Sequence, residues 1–199
     1  MERPNFASDE NGFMFAYFCG TKGFLNQSDF QQLTAHAKSL PDGAEYAETG
    51  SFMGASALIF GLNSTANVWC HDIWTLDQNI KEVEYPSENF FNLYDKIREY
   101  NLLSRVFLVP GDSLKTYKVH KDKSLDLAFI DGDHSYSGAL GDLENFLPKI
   151  KNGGVILAHD CTPDSECLRA LKDFSNKHAI EFEILPGTNG MAKLIINEV

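Results

Sequence analysis

The apolar residues of this chain fall into short runs separated by polar, turn-forming stretches. "NVWCHDI" (67–73), "RVFLV" (105–109), "LDLAFID" (125–131) and "GVILAHD" (154–160) are apolar at consecutive positions, as in strands covered on both faces of a parallel sheet. "EYAE" (45–48), "EFEIL" (181–185) and "MAKLII" (191–196) complete the expected set of seven strands. The segments between them have helical period. In the first, Ser28 and Gln31 read as a capping box ahead of Phe30, Leu33, Ala37 and Leu40 on one face. A second starts at Ser87 with Phe90, Tyr94 and Ile97 on one side, and a third repeats Leu140, Leu143, Leu147 and Ile150. Thr162 with Pro163 at the first helical position starts the last.

Strand and helix alternate from residue 45 to about 177, which calls for βαβ crossovers and a three-layer α/β sandwich. Only "PGTNG" (186–190) joins the last two strands, too short for a helical crossover, so they are expected as an antiparallel hairpin at one edge of the sheet. A chain of 199 residues is one substantial domain. It is expected to span residues 1–199, with 1–40 as an N-terminal segment and helix packed on the core.

Charge narrows the partners. Lys and Arg number 17 against 28 Asp and Glu, and a net charge of −11 repels a phosphate backbone, which argues against nucleic acid and for a small ligand. Four cysteines without a C-x-x-C pair fit reduced thiols, and neither a signal peptide nor a run of membrane-span length is visible, so a cytoplasmic protein without membrane attachment is expected. The aromatic stretch "GFMFAYF" (12–18) is a candidate surface for a second copy of the chain, as in a homodimer.

In an open α/β sheet ligands bind beyond the carboxyl ends of the strands, and the acidic residues collect there: Glu48, Asp72, Asp112, Asp131 and Asp160. The first strand-to-helix turn, "ETGSFMGAS" (48–56), has Gly50 for a tight turn and close ligand approach and Gly54 to start the next helix. It is not the G-x-G-x-x-G fingerprint. Asp72 follows Gly50 at the separation at which a strand-end carboxylate accepts from a ribose diol.

Together "AETGSFMGAS", "VWCHDIW", "VPGDSL", "LAFIDGDHSYSGALGDLENFLPKIKNGGVILAHD" and "GTNGMAKLII" resemble the class I S-adenosylmethionine-dependent methyltransferases. The likeness is greatest to the small-molecule O-methyltransferase group with a D-G-D-H-x-Y signature, and it runs from about Gly23 to Asn197. It implies a Rossmann-like sheet, S-adenosylmethionine as cofactor and a small-molecule hydroxyl as acceptor. It places Glu48, Gly50 and Ser51 beneath the methionine part, with Gly54 and Ser56 in the same turn, Asp72 on the ribose, and Asp112 and Ser113 beside the adenine. Trp74 is a candidate wall of the adenine or acceptor pocket, and "GTKGFL" (20–25) a segment closing over the cofactor.

Asp131 then sits where sulfonium and acceptor meet, able to hold the cofactor's amino group, bind a metal or assist deprotonation. His134 and His159 join it as candidate catalytic residues. Asp131, His159 and Asp160 form a candidate site for magnesium or manganese, although His159 stands where metal-dependent relatives carry an acidic or amide side chain. Two other readings compete. A nicotinamide-dependent oxidoreductase would use the same turn and Asp72 but lacks its fingerprint, and a non-catalytic cofactor-binding module would not need Asp131 and Asp160.

Overall fold

A computed structural model describes residues 3–10, 12–74 and 87–197. The main sheet is built from β4 (Glu45–Thr49), β5 (Asn67–Asp72), β6 (Val106–Pro110), β7 (Leu125–Ile130), β8 (Ile150–Ala158), β9 (Phe182–Ile184) and β10 (Ala192–Ile196). Its order is β6-β5-β4-β7-β8-β10-β9. β4 through β8 pair in parallel, whereas β10 runs antiparallel to both β8 and β9. All seven expected strands are present, with the terminal hairpin at one edge. The order reverses between β4 and β7, so the crevice of an open α/β sheet lies above Thr49 and Ile130.

The consecutive apolar residues are explained by a split between two layers. Tyr46, Leu127, Phe129 and Leu157 point into one buried cluster with α1 (Gln27–Ser39), α2 (Ala55–Asn63) and α3 (Ser87–Glu99). Their strand neighbours Ala47, Ala128, Ile130 and Ile156 enter the other, with α5 (Tyr136–Phe146) and α6 (Glu166–His178). Side chains alternate across a strand, so a strand covered on both faces must be apolar throughout. A short helix, α4 (Ser113–Thr116), leads from β6 toward β7.

Several boundaries differ from expectation. Asn26, not Ser28, caps α1, and the capping box closes with Asp29 in place of Gln31. Ser165, not Thr162, caps α6, because Asp164 takes a positive φ of 65° and holds the helix start back. Ser87 is the first residue of α3. That helix buries Asn89, Leu93 and Ile97, while Tyr94 is exposed, since Leu93 is the residue that packs against Gly54. Helix α5 stops at Phe146, the next turn contains Pro148, and Ile150 already belongs to β8.

Ahead of the domain lies a second sheet that the sequence pattern did not disclose: β1 (Asn5–Ser8), β2 (Met14–Phe18) and β3 (Thr21–Gly23), all antiparallel. Cys19 and Gly20, with φ of 55° and 78°, form the two-residue turn between β2 and β3, the pair of positive angles that suits a hairpin's twist. Phe15, Ala16 and Phe18 are buried, and Phe13, Met14 and Tyr17 face outward. Gly23 lies against α2, where an added Cβ would come within 2.8 Å of the Ala55 Cβ. No helix among the described residues is long and apolar enough to cross a membrane.

Candidate functional site

The turn after β4 is locked from below. Gly50 donates its N–H to the His71 carbonyl at 2.9 Å and takes a φ of 76°. An added Cβ there would meet the Asp131 carbonyl carbon at 2.6 Å and the Gly132 Cα at 2.9 Å. The glycine is therefore required twice over, for its backbone angle and for the passage of the β7 exit loop. Gly54, at a φ of 87°, begins α2 with Leu93 packed where its Cβ would be.

Asp72 ends β5 and braces this turn. One carboxylate oxygen accepts from Phe52 N at 2.7 Å and the other from Trp74 N at 2.9 Å. Burial raises its pKa, and the N–H groups of Trp74, Phe52 and Ile73 offset part of that rise. Trp74, expected as a pocket wall, is wholly buried. Its Nε1–H donates to the Phe52 carbonyl at 2.7 Å and its ring packs edge-on to Phe90, so it supports the turn from behind. Asp72→Ala would orphan two partly buried N–H groups and is expected to lower stability by about 2 to 4 kcal/mol. Denaturant unfolding checks this; a loss below about 0.5 kcal/mol would mean that the turn stands without the carboxylate.

Glu48 is 1 % exposed beneath the same turn, where Tyr46 donates its hydroxyl to Oε2 at 2.7 Å. Burial pushes its pKa up to about 7 against the pull of the Tyr46, Ser51 and Ser56 hydroxyls. Glu48 Oε1 and Ser51 Oγ are both buried, and neither makes a hydrogen bond of good geometry among the described residues, although the Ser51 hydroxyl lies close enough to favour the carboxylate. Ser56 is buried beside them. Two neighbouring orphaned polar atoms at a strand-end turn point to a ligand that completes them.

On the other flank Asp112 caps α4 by accepting from Leu114 N, and Ser113 is the first residue of that helix. Behind them lies Asp142 on α5, 1 % exposed, its pKa lifted by burial to about 6 against the pull of the Ser113 and Thr49 hydroxyls.

Beyond β7 and β8 the structure gathers a cluster of carboxylates and imidazoles. His159 Nδ1 lies 3.2 Å from Asp131 Oδ1 and 3.5 Å from Asp160 Oδ1. His134 Nε2 lies 3.2 Å from Asp160 Oδ2 and 3.7 Å from Asp131 Oδ1. The two rings differ in access: the His134 side chain is 58 % exposed, that of His159 only 1 %. For His159, desolvation is outweighed by Asp131, Asp160 and Asp29, and its pKa is raised well above the usual imidazole value. For His134 the bond to Asp131 raises it, with burial opposing. Burial works to raise the Asp131 pKa, yet His159 and His134 together leave it below the ordinary carboxylate range. Asp133 is turned to the start of α5, where it accepts from Ser135 N at 2.9 Å.

Asp160 is held in the left-handed region at a φ of 54°. Ser165 donates to its carbonyl at 2.8 Å, and Asn189 Nδ2 donates to its Oδ1 at 2.9 Å. One ligand atom each from Asp131, His134 and Asp160 lies within 4.8 Å of the others, a potential cation-binding group beside which His159 turns Nδ1 to the same two carboxylates.

Sequence reasoning also missed Asn189 and Asp29. Asn189 stands in the "PGTNG" connection, treated only as a turn. Asp29 shares the buried stripe of α1 with Leu33 and Ala37, and a charge on an apolar stripe is the signal that could have found it.

Comparison with known proteins agrees with this geometry. A family model described as a methyltransferase domain matches residues 47–161, from β4 to just past Asp160. Among solved structures, the O-methyltransferase NovP superposes with a TM-score of 0.68 at 17 % identity, over 88 % of this chain and 82 % of that one. An O-methyltransferase from Bacillus cereus in complex with SAH gives 0.62 at 18 % identity, over 86 % and 82 %. A putative rRNA methylase from Clostridium thermocellum gives 0.62 at 14 %, over 85 % and 96 %. Likeness at these identities is one of fold. No curated protein matches the chain significantly. The family match covers more than half of the residues, including the Gly50 turn, Asp72, Asp131 and Asp160, and on that ground the chain belongs to the methyltransferase-domain family and has the class I methyltransferase fold.

Proposed function

We propose that the protein transfers a methyl group from S-adenosylmethionine to a hydroxyl of a small molecule. The observation that carries the cofactor reading is the pair of orphaned buried atoms, Glu48 Oε1 and Ser51 Oγ, below the Gly50 turn. An ammonium donating to Glu48 would satisfy the carboxylate, and the methionine part of the cofactor brings one. Asp72 keeps acceptor capacity for a ribose diol beside its two backbone bonds, since each carboxylate oxygen has two lone pairs. Asp112 and Ser113 lie at the neighbouring strand end, where the adenine would rest.

Bound S-adenosylmethionine supplies an electrophilic methyl group whose transfer leaves a neutral thioether. What the protein must add is alignment of the acceptor and a destination for its proton. Asp131 stands at the reversal of strand order, next to the Gly50 turn. His134 Nε2, exposed and flanked by Asp131 and Asp160, is placed to take the proton as the oxygen–carbon bond forms. His159 holds Asp131 from behind. The net charge of −11 favours a small acceptor over nucleic acid, although the putative rRNA methylase with this fold shows that the fold alone does not choose.

The same cluster fits a divalent cation: Asp131, His134 and Asp160 would hold it, and two carboxylates with one imidazole suit manganese better than magnesium. Such an ion would lower the pKa of the acceptor hydroxyl. Radiolabelled methyl transfer to a panel of phenol, sugar, polyketide and amino-acid hydroxyls, with and without EDTA, tests the reading. Incorporation into at least one acceptor is expected. None across the panel, with the cofactor bound, would remove the small-molecule reading, and full turnover in EDTA would remove the metal.

Glu48 gives this reading a pH signature. Its pKa, raised to about 7, means that below pH 7 the free protein holds it protonated. An ammonium ligand prefers the carboxylate, so binding there must release a proton, and affinity should rise with pH from about 6 to 8 and then level off. Calorimetry in buffers of different ionisation enthalpy is expected to show release approaching one proton near pH 6 and none at pH 8.5. Equal proton release at both values would mean that Glu48 does not meet the ligand's charge.

A further inference from the structure

Asp29 belongs to the N-terminal helix, 130 positions before His159, and it is completely buried. One carboxylate oxygen, Oδ2, accepts from Asn26 N at 2.8 Å and closes the capping box. The other oxygen has no part in that acceptance. Oδ1 accepts from Asn189 N at 3.0 Å and stands 3.4 Å from His159 Nε2, a buried ring nitrogen with no other partner among the described residues. Capping boxes work at solvent-exposed helix starts and do not require a buried charge, whose desolvation costs several kcal/mol unless a partner compensates it. The partner here is the imidazole that grips Asp131 on its far side. Asn189, fixed through its backbone by Asp29, grips Asp160 through its side chain. Both carboxylates of the site are thus tethered, each through one intermediary, to a single residue.

We propose that Asp29 is a positioning residue of the methyltransferase site, acting through the His159 ring and the Asn189 backbone to hold Asp131 and Asp160 at the sheet edge. The geometry stands independently of the acceptor, and the consequence for turnover rests on the function proposed above. Asparagine at position 29 can still accept from Asn26 N, so the helix start survives, but its amide cannot serve both Asn189 N and His159 Nε2 as the carboxylate does.

In the protein bound to S-adenosylhomocysteine, Asp29→Asn is expected to keep affinity for that ligand within about threefold, since the Glu48 turn is not part of the tether. Long-range proton–nitrogen NMR of the histidine rings, with His159 assigned through His159→Asn, should show a slowly exchanging Nε2–H in the wild type that is lost in Asp29→Asn and regained in Asp29→Glu. With an acceptor from the panel, kcat should fall roughly 10- to 100-fold at unchanged KM for S-adenosylmethionine, the usual range for a support of the reacting groups. The loss should be clearly smaller when the change is made on His159→Asn, the remainder passing through Asn189 to Asp160. An unaltered His159 signal in Asp29→Asn, or equal losses of kcat in both backgrounds, would overturn the proposal. If the wild type binds no S-adenosylhomocysteine, the function reading fails, while the NMR comparison on the free protein still decides the role of Asp29.

Discussion

Gly50→Ala is expected to abolish cofactor binding and to destabilise the fold by about 3 to 5 kcal/mol, a drop in Tm of roughly 10 °C. Two penalties combine. The backbone angle, a φ of 76°, costs a residue with a side chain about 1 to 2 kcal/mol. The new Cβ also collides with backbone of the β7 exit loop, and backbone cannot rotate away as a side-chain tip can. Relief would require the turn and Asp131 to separate, which spoils the proposed meeting place of methyl donor and acceptor. Gly43→Ala is the control. Gly43 has a similar φ of 69° but nothing within 4 Å of an added Cβ, so it should cost only about 1 kcal/mol. Equal melting temperatures for the two variants would show that the clash at Gly50 is absorbed.

Asp131→Asn is expected to reduce turnover about 10²- to 10⁴-fold while S-adenosylhomocysteine affinity falls less than tenfold. The substitution keeps shape and removes the charge that His134 and His159 share. His159 keeps Asp160 and Asp29 as neighbours, so its ring is not stranded and the fold should persist. Turnover within about fivefold of wild type would mean that His134 takes the proton without support from the Asp131 charge.

The parallel core was legible because burial on both faces leaves little freedom in composition: Leu127 to Ile130 could be read as a strand without knowing its neighbours. The switch-point carboxylates were legible because a charge that follows such a run must sit at a strand end. The N-terminal sheet was not. "MFAYF" is apolar or aromatic at its exposed positions, Met14 and Tyr17, as well as at its buried ones, so its hydropathy masks the period, and a Cys-Gly turn lacks the usual Asn-Gly or Asp-Gly signal. The start of α1 held two overlapping boxes, Asn26 with Asp29 and Ser28 with Gln31, and the choice is made by contacts of Asp29 far along the chain. His159 was read as a cation ligand from its place beside Asp160. The fold buries its ring between Asp131 and Asp29 of α1, and the pairing with Asp29 has no trace in local sequence.

The most direct test of the central claim is titration calorimetry of the purified chain with S-adenosylhomocysteine, with NAD and NADP as comparison ligands. The account predicts one site per chain with a Kd in the micromolar range, on the order of −7 to −9 kcal/mol, heat lost in Gly50→Ala, and no heat from either nicotinamide nucleotide. Absence of S-adenosylhomocysteine binding at millimolar concentration, or tighter binding of NAD, would contradict it.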